Sequence, residues 1–159
     1  MKLVLTIIFY FILSSNFAQS AKLYNPDADV SAAITQGLVK AKAENKHLLI
    51  QIGGNWCPWC IKFHKFCEED QEISTVISKN YITIKVNYSK ENRNIAELKK
   101  LDFPQRFGFP VFVILNSDGK RIHTQNSSYL EEDKGYSKKK VLDFLNQWTP
   151  GALSPDLYL

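Results

Sequence analysis

All three cysteines of this 159-residue chain fall within eleven positions, in "CPWCIKFHKFC", directly behind a short apolar run, "HLLIQIG", from His47 to Gly53. A run of that length, rich in branched residues, is the pattern of a buried strand. Pro58 then marks the first turn of a helix, where proline forfeits no intrahelical hydrogen bond. The chain is thereby constrained to a strand that hands over to a helix at Cys57. Side chains three apart on a helix are neighbours, and a disulfide needs alpha carbons roughly 4.4 to 6.8 Å apart. Cys57 and Cys60 can therefore bond and separate with little backbone movement.

Position also sets reactivity. Unpaired backbone N–H groups and the positive end of the helix dipole favour a thiolate at Cys57, and such placement can lower a cysteine pKa to ~3.5 to 7.5. Cys57 is the candidate nucleophile, attacking a partner's disulfide to give a mixed disulfide. Cys60, one turn inside the helix, is the candidate resolving thiol.

The amino terminus reads as an export signal over residues 1–20: Lys2, an apolar run from Leu3 to Leu13, then small and polar residues that place cleavage after Ala18 or Ser20. The run is too short for a membrane span. The expected mature domain, 21–159, suits a single core. Its expected location is periplasmic or secreted, an oxidising setting in which a close cysteine pair is redox-active or bridged. Asn87 and Asn126 stand in N-x-S patterns, which leaves a eukaryotic secretory origin open. Three clustered cysteines do not make a disulfide scaffold. A formal charge of +4, without interleaved aromatic and basic residues, argues against nucleic acid.

Helical spacing is expected after Asp29 (Val30, Ile34, Leu38, Ala41), after Cys57 (Ile61, Phe63, Phe66) with a recapped continuation from Asp70, after Asn94 (Ile95, Leu98, Leu101), and in a last helix with Val141, Leu142, Leu145 and Trp148. Strand patterns fall at His47 to Gly53, in "YITIKVNY", and in "VFVIL" and "RIHTQ", the last two joined by a turn at residues 116–119. A polar insertion, Asn126 to Gly135, precedes the last helix. That order predicts an α/β domain with one mixed sheet covered by helices on both faces.

"NWCPWC" at the end of a strand resembles the active site of the thioredoxin superfamily, most closely the secreted thioredoxin-like domains related to the C-terminal domain of the bacterial disulfide reductant exporter. The likeness covers most of the mature chain. It implies the thioredoxin fold and a thiol–disulfide oxidoreductase that needs no cofactor, acts as a reductase on protein disulfide substrates, takes electrons from a membrane-embedded thiol donor, and is a monomer. It also implies that "GFPVFVIL" is the loop holding a cis-proline, Pro110, beside the dithiol. The backbone of Phe109 would then pair with an extended substrate segment. Trp56 and Trp59 would shape the contact surface, or else pack against the domain. Two departures stand out. Gln51 occupies the place of the thioredoxins' buried carboxylate, and Pro-Trp replaces the Gly-Pro between the cysteines. Lys85 falls near the thioredoxin site lysine, and is read equally as a surface lysine.

A rival reading is a metal site, C-x2-C-x3-H-x2-C, from Cys57, Cys60, His64 and Cys67. In a continuous helix Cys67 would lie about 10.5 Å along the axis from Cys60, too far to share one tetrahedral ion. The expectation is therefore no metal, with Cys67 a small buried hydrophobe. A second alternative keeps the fold but makes the chain a polypeptide-binding or chaperone module with an idle dithiol.

Overall fold

The computed structural model describes residues 22–159, so the export signal read over residues 1–20 lies outside the described residues. The elements run α1 (Val30–Ala43), β1 (His47–Gly53), α2 (Pro58–Glu69), α3 (Gln71–Asn80), β2 (Tyr81–Asn87), α4 (Ile95–Lys100), β3 (Val111–Leu115), β4 (Arg121–Asn126), β5 (Glu131–Glu132), β6 (Gly135–Tyr136) and α5 (Lys138–Gln147). The main sheet has the order β2-β1-β3-β4, with β1 parallel to β2 and antiparallel to β3, and β3 antiparallel to β4. This is the expected mixed sheet between helices, and it is the thioredoxin fold.

Alternation along the two central strands divides the core. Leu48, Ile50 and Ile52 of β1 join Val111, Val113 and Leu115 of β3 on one face, beneath Ala41 of α1 and Leu98 of α4. Leu49, Phe112 and Ile114 point to the other face, against Phe63 and Cys67 of α2, Ile73 of α3 and Phe144 and Leu145 of α5. Gln51 shares that second face, so an amide sits where the pattern offers an apolar site, directly behind the cysteine helix.

Capping explains most of the boundaries. Asp29 accepts the Ala32 N–H, and Asp70 accepts the Glu72 and Ile73 N–H groups, which starts α3 as a separate helix. Asn94 departs from expectation. It occupies the N-cap of α4 in left-handed conformation, but its side chain makes no cap bond and donates instead to the Asn87 carbonyl, 2.7 Å away. The loop after β2 thus claims the amide before the helix can use it. The insertion read as polar is also more than a loop. Most of the β5–β6 ribbon lies in it, and Leu130 within it and Tyr136 directly after it enter the core, two anchors that hold the polar stretch in place.

His47, at the start of β1, is buried, and its Nδ1–H donates to the Trp148 carbonyl at 2.9 Å, tying the central strand to the end of α5. Burial lowers its pKa from the ordinary value, partly offset by that bond. The fold therefore favours the neutral ring, so its contribution is complete above the unfolded histidine value of about 6.5 and is lost as the pH falls from there through the lower folded-state value. Melting temperature is expected to fall between pH 7.5 and pH 5.5, and to fall less steeply in a His47→Gln variant. His64 is shifted in the same direction by burial and Lys85, so some slope remains. Identical slopes in the two proteins would remove His47 from the account.

Candidate functional site

The strand β1 ends at Gly53 and the chain turns through Gly54, Asn55 and Trp56 to deliver Cys57 at the N-cap of α2, in extended conformation. Cys57 and Cys60 are joined by a disulfide, with alpha carbons 5.3 Å apart. The Cys60 N–H points at the Cys57 sulfur, 3.1 Å away, so that sulfur receives the N-terminal donor that a capping side chain usually takes. Pro58, the first helical residue, supplies no donor there. Sequence spacing and structure agree on the arrangement of the two sulfurs. They also agree on its asymmetry: Cys57 is 4 % exposed and Cys60 fully buried.

Both glycines before the cysteines are required by close approach. A Cβ on Gly53 would overlap the Cys60 sulfur, and one on Gly54 would overlap the Trp56 indole and stand 2.9 Å from the Tyr88 carbonyl oxygen. Only a bare backbone lets the strand end pass so near the sulfurs.

Trp56 is 56 % exposed. Its indole N–H donates to the Tyr88 carbonyl and its ring meets Phe109 edge-on at 5.4 Å. Phe109 leans also on Tyr88, at 4.8 Å, and the Phe109–Pro110 peptide bond is cis, with Pro110 buried. Phe109 thus packs against the Tyr24, Cys57 and Cys60 cluster, with Trp56 on its edge and Pro110 joined to it through the cis bond. Trp59 packs against the same cysteine cluster and sets its ring edge-on to Tyr136 at 5.4 Å, with the Lys62 ammonium 4.4 Å from its centre, so packing accounts for much of its surface. Beside Trp56 a groove of about 630 Å³ runs over the loop after β2, lined by Lys22, Asn55, Tyr88, Lys90 and Arg93.

The four residues of the metal reading do not converge. Cys57 and Cys60 are bonded to each other, His64 pairs with Glu68 at 3.2 Å, and Cys67 lies in the core cluster beneath β3. Burial, with Asp70 nearby, pushes the Cys67 thiol up to about 12, so it is inert as a nucleophile. Lys85 is partly buried and in register with Gln51, but its charge interactions are with Glu68 and Cys67 in the second half of α2. Burial is the main cause of its lowered pKa.

Tyr24 carried no motif signal in the sequence, and Asn55, although part of "NWCPWC", carried none for its partner. Tyr24 and Asn55 meet across 31 positions: the Tyr24 N–H donates to Asn55 Oδ1 at 3.0 Å and the Tyr24 carbonyl accepts from Asn55 Nδ2 at 2.7 Å. The Tyr24 ring is fully buried in one cluster with Cys57 and Cys60. A solitary aromatic in the polar lead-in "KLYNPD" was the one available hint.

Comparison with known proteins accords with this geometry. No curated protein sequence matches the chain. Among solved structures, a disulphide isomerase from Xylella fastidiosa Temecula1 superposes with a TM-score of 0.70 at 26 % identity, over 79 % of this chain and 95 % of that one. The C-terminal domain of Neisseria meningitidis DsbD in the oxidised form gives 0.55 at 18 % identity, over 76 % and 96 %. A thioredoxin from Thermus thermophilus gives 0.53 at 17 % identity, over 78 % and 84 %. The last two likenesses establish the fold. Residues 21–150 match the family model Thioredox_DsbH, described as a protein of unknown function, DUF255. That match spans most of the sequence, and the chain belongs to the Thioredox_DsbH family.

Proposed function

We propose that the chain, a thioredoxin-fold thiol–disulfide oxidoreductase, works outside the cytoplasm as a monomeric reductase of protein disulfides. The observation that carries this reading is the bridged pair at the N-cap of α2, with the Cys60 N–H aimed at the Cys57 sulfur. In the reduced protein the Cys57 thiolate attacks one sulfur of a substrate disulfide. A Cys57–substrate bond forms, and the other substrate sulfur leaves as a thiolate and takes a proton from solvent. The Cys60 thiolate then attacks the Cys57 sulfur, restores the Cys57–Cys60 bond and expels the second substrate thiolate. Two electrons pass to the substrate, and a thiol donor in the membrane returns them.

The surroundings of the sulfurs support the reducing direction. Strong oxidants of this class are those whose reduced form is stabilised. Here the pair is buried, enclosed by Tyr24 and packed against the apolar side chains of Leu23, Trp59 and Phe109. Apolar enclosure disfavours thiolates, most of all at the fully buried Cys60, and works against the helix-end stabilisation of the Cys57 thiolate, which shifts the balance toward the disulfide and makes the dithiol the better electron donor. Trp56, Phe109 and Pro110 supply the docking face, with Trp59 at its inner edge. The backbone of Phe109 makes no backbone hydrogen bond among the described residues, which leaves it open to strand addition by an extended substrate segment. The export signal read over residues 1–20 supports a periplasmic or secreted location.

Equilibration of the Cys57–Cys60 pair against glutathione or dithiothreitol tests the direction. A reduction potential near that of thioredoxin, about −270 mV, is expected. A value near −120 mV would make the protein an oxidant and overturn the assignment.

A further inference from the structure

The place of the thioredoxin carboxylate is taken by Gln51, which cannot titrate, yet the resolving step still requires a buried Cys60 to become a thiolate. Burial in apolar surroundings opposes that ionisation, whereas a hydrogen bond to the charged form favours it. The donor is visible beside it. Gln51 Nε2 gives one N–H to the Tyr24 hydroxyl oxygen, at 2.7 Å, and lies 3.4 Å from the Cys60 carbonyl oxygen. A carbonyl only accepts, so it fixes which end of the amide faces the site. The Tyr24 oxygen is then an acceptor from Gln51, and its own hydrogen has no other acceptor among the described residues. Across Gly53 the hydroxyl and the Cys60 sulfur are neighbours: a Cβ there would overlap the sulfur and stand 3.0 Å from the hydroxyl oxygen. The Asn55 clamp on the Tyr24 backbone holds the ring in that place.

We infer that Tyr24 is a positioning residue of the dithiol, donating its phenolic hydrogen to the Cys60 sulfur once the bridge is open and so stabilising the thiolate that resolves the mixed disulfide. The inference rests on the redox reading above. Burial raises the Tyr24 hydroxyl above its ordinary range, opposed by Gln51, so the group remains protonated and acts as a donor, not as a base. The Cys60 proton therefore leaves to solvent. The Cys60 electron pair forms the Cys57–Cys60 bond while the bond from Cys57 to substrate breaks onto the substrate sulfur. Tyr24 gains and loses nothing in the cycle.

The test is Tyr24→Phe, which keeps the ring and removes the hydroxyl. In a Cys57→Ser background, alkylation of Cys60 at pH 7, followed by peptide mapping to separate Cys67, is expected to slow about tenfold, with its pH profile displaced to higher pH. With both active cysteines present, the mixed disulfide with a model substrate is expected to persist about tenfold longer. Fluorotyrosine installed at position 24, a stronger donor of the same shape, is expected to move the alkylation profile to lower pH, which a purely steric role would not do. The fluorotyrosine arm also keeps the question answerable if the phenylalanine variant misfolds. Unmoved profiles in the folded proteins would overturn the inference. Absence of exchange in the wild-type protein would instead count against the oxidoreductase reading itself.

Discussion

Replacing Cys57 with serine is expected to reduce insulin-disulfide reduction to background, a loss of at least about 10³-fold, because the attacking group is a thiolate and a serine hydroxyl stays protonated at neutral pH. Neither remaining cysteine can substitute. Cys60 is enclosed behind the docking face, out of reach of a protein disulfide though not of a small alkylating reagent, and Cys67 lies in the core with its thiol held near 12. Cys60→Ser should fail differently. Attack by Cys57 remains available, so the variant is expected to accumulate a mixed disulfide, visible as an adduct on a non-reducing gel and discharged by dithiothreitol. Serine at Cys57 should form no adduct at all. This pair of outcomes also separates the enzyme from the polypeptide-binding module: full client binding by Cys57→Ser, together with no exchange by the wild-type protein, would favour the module.

How far such an outcome could be foreseen from residues alone depends on the range of the interactions concerned. Cys57, Pro58 and Cys60 act on one another within a single helical turn, so their spacing already fixes their geometry, and the disulfide at the N-cap follows. The central strands were legible for the same reason, since alternation and unbroken apolar runs are local patterns. Tyr24 was not. Its segment lies between an apolar run and α1 with no periodicity, and what makes it part of the site is a pair of hydrogen bonds to Asn55, which no local rule connects. Leu130, Tyr136 and Phe144 escaped for a related reason. The first follows a single exposed tyrosine and the second stands alone in polar sequence, and the third lies between Leu142 and Leu145 on α5, yet all three are core. Gln51 shows the intermediate case: its inability to titrate was evident at once, but its hydrogen bond to Tyr24 required the fold.

The second large effect is expected in the core that holds the cysteine helix in place. Phe112, fully buried on β3, stands 4.4 Å from the ring of Phe63 on α2 and 5.9 Å from that of Phe144 on α5. It thus joins the helix bearing both cysteines to the sheet and to the last helix. Phe112→Ala leaves a cavity that these neighbours, fixed by their own helices, can fill only in part, at a cost of about 3 to 5 kcal/mol. Against a typical total of about 5 to 15 kcal/mol, that is a large share of the stability. The melting temperature is expected to drop by roughly 10 °C or more. Tyr129→Ala, at an exposed ring, should change stability by no more than about 0.5 kcal/mol. Urea titration of the oxidised proteins measures both, and the slope with denaturant should stay constant if only the native packing has changed. A Phe112→Ala midpoint equal to that of Tyr129→Ala would mean that the aromatic column does not anchor α2.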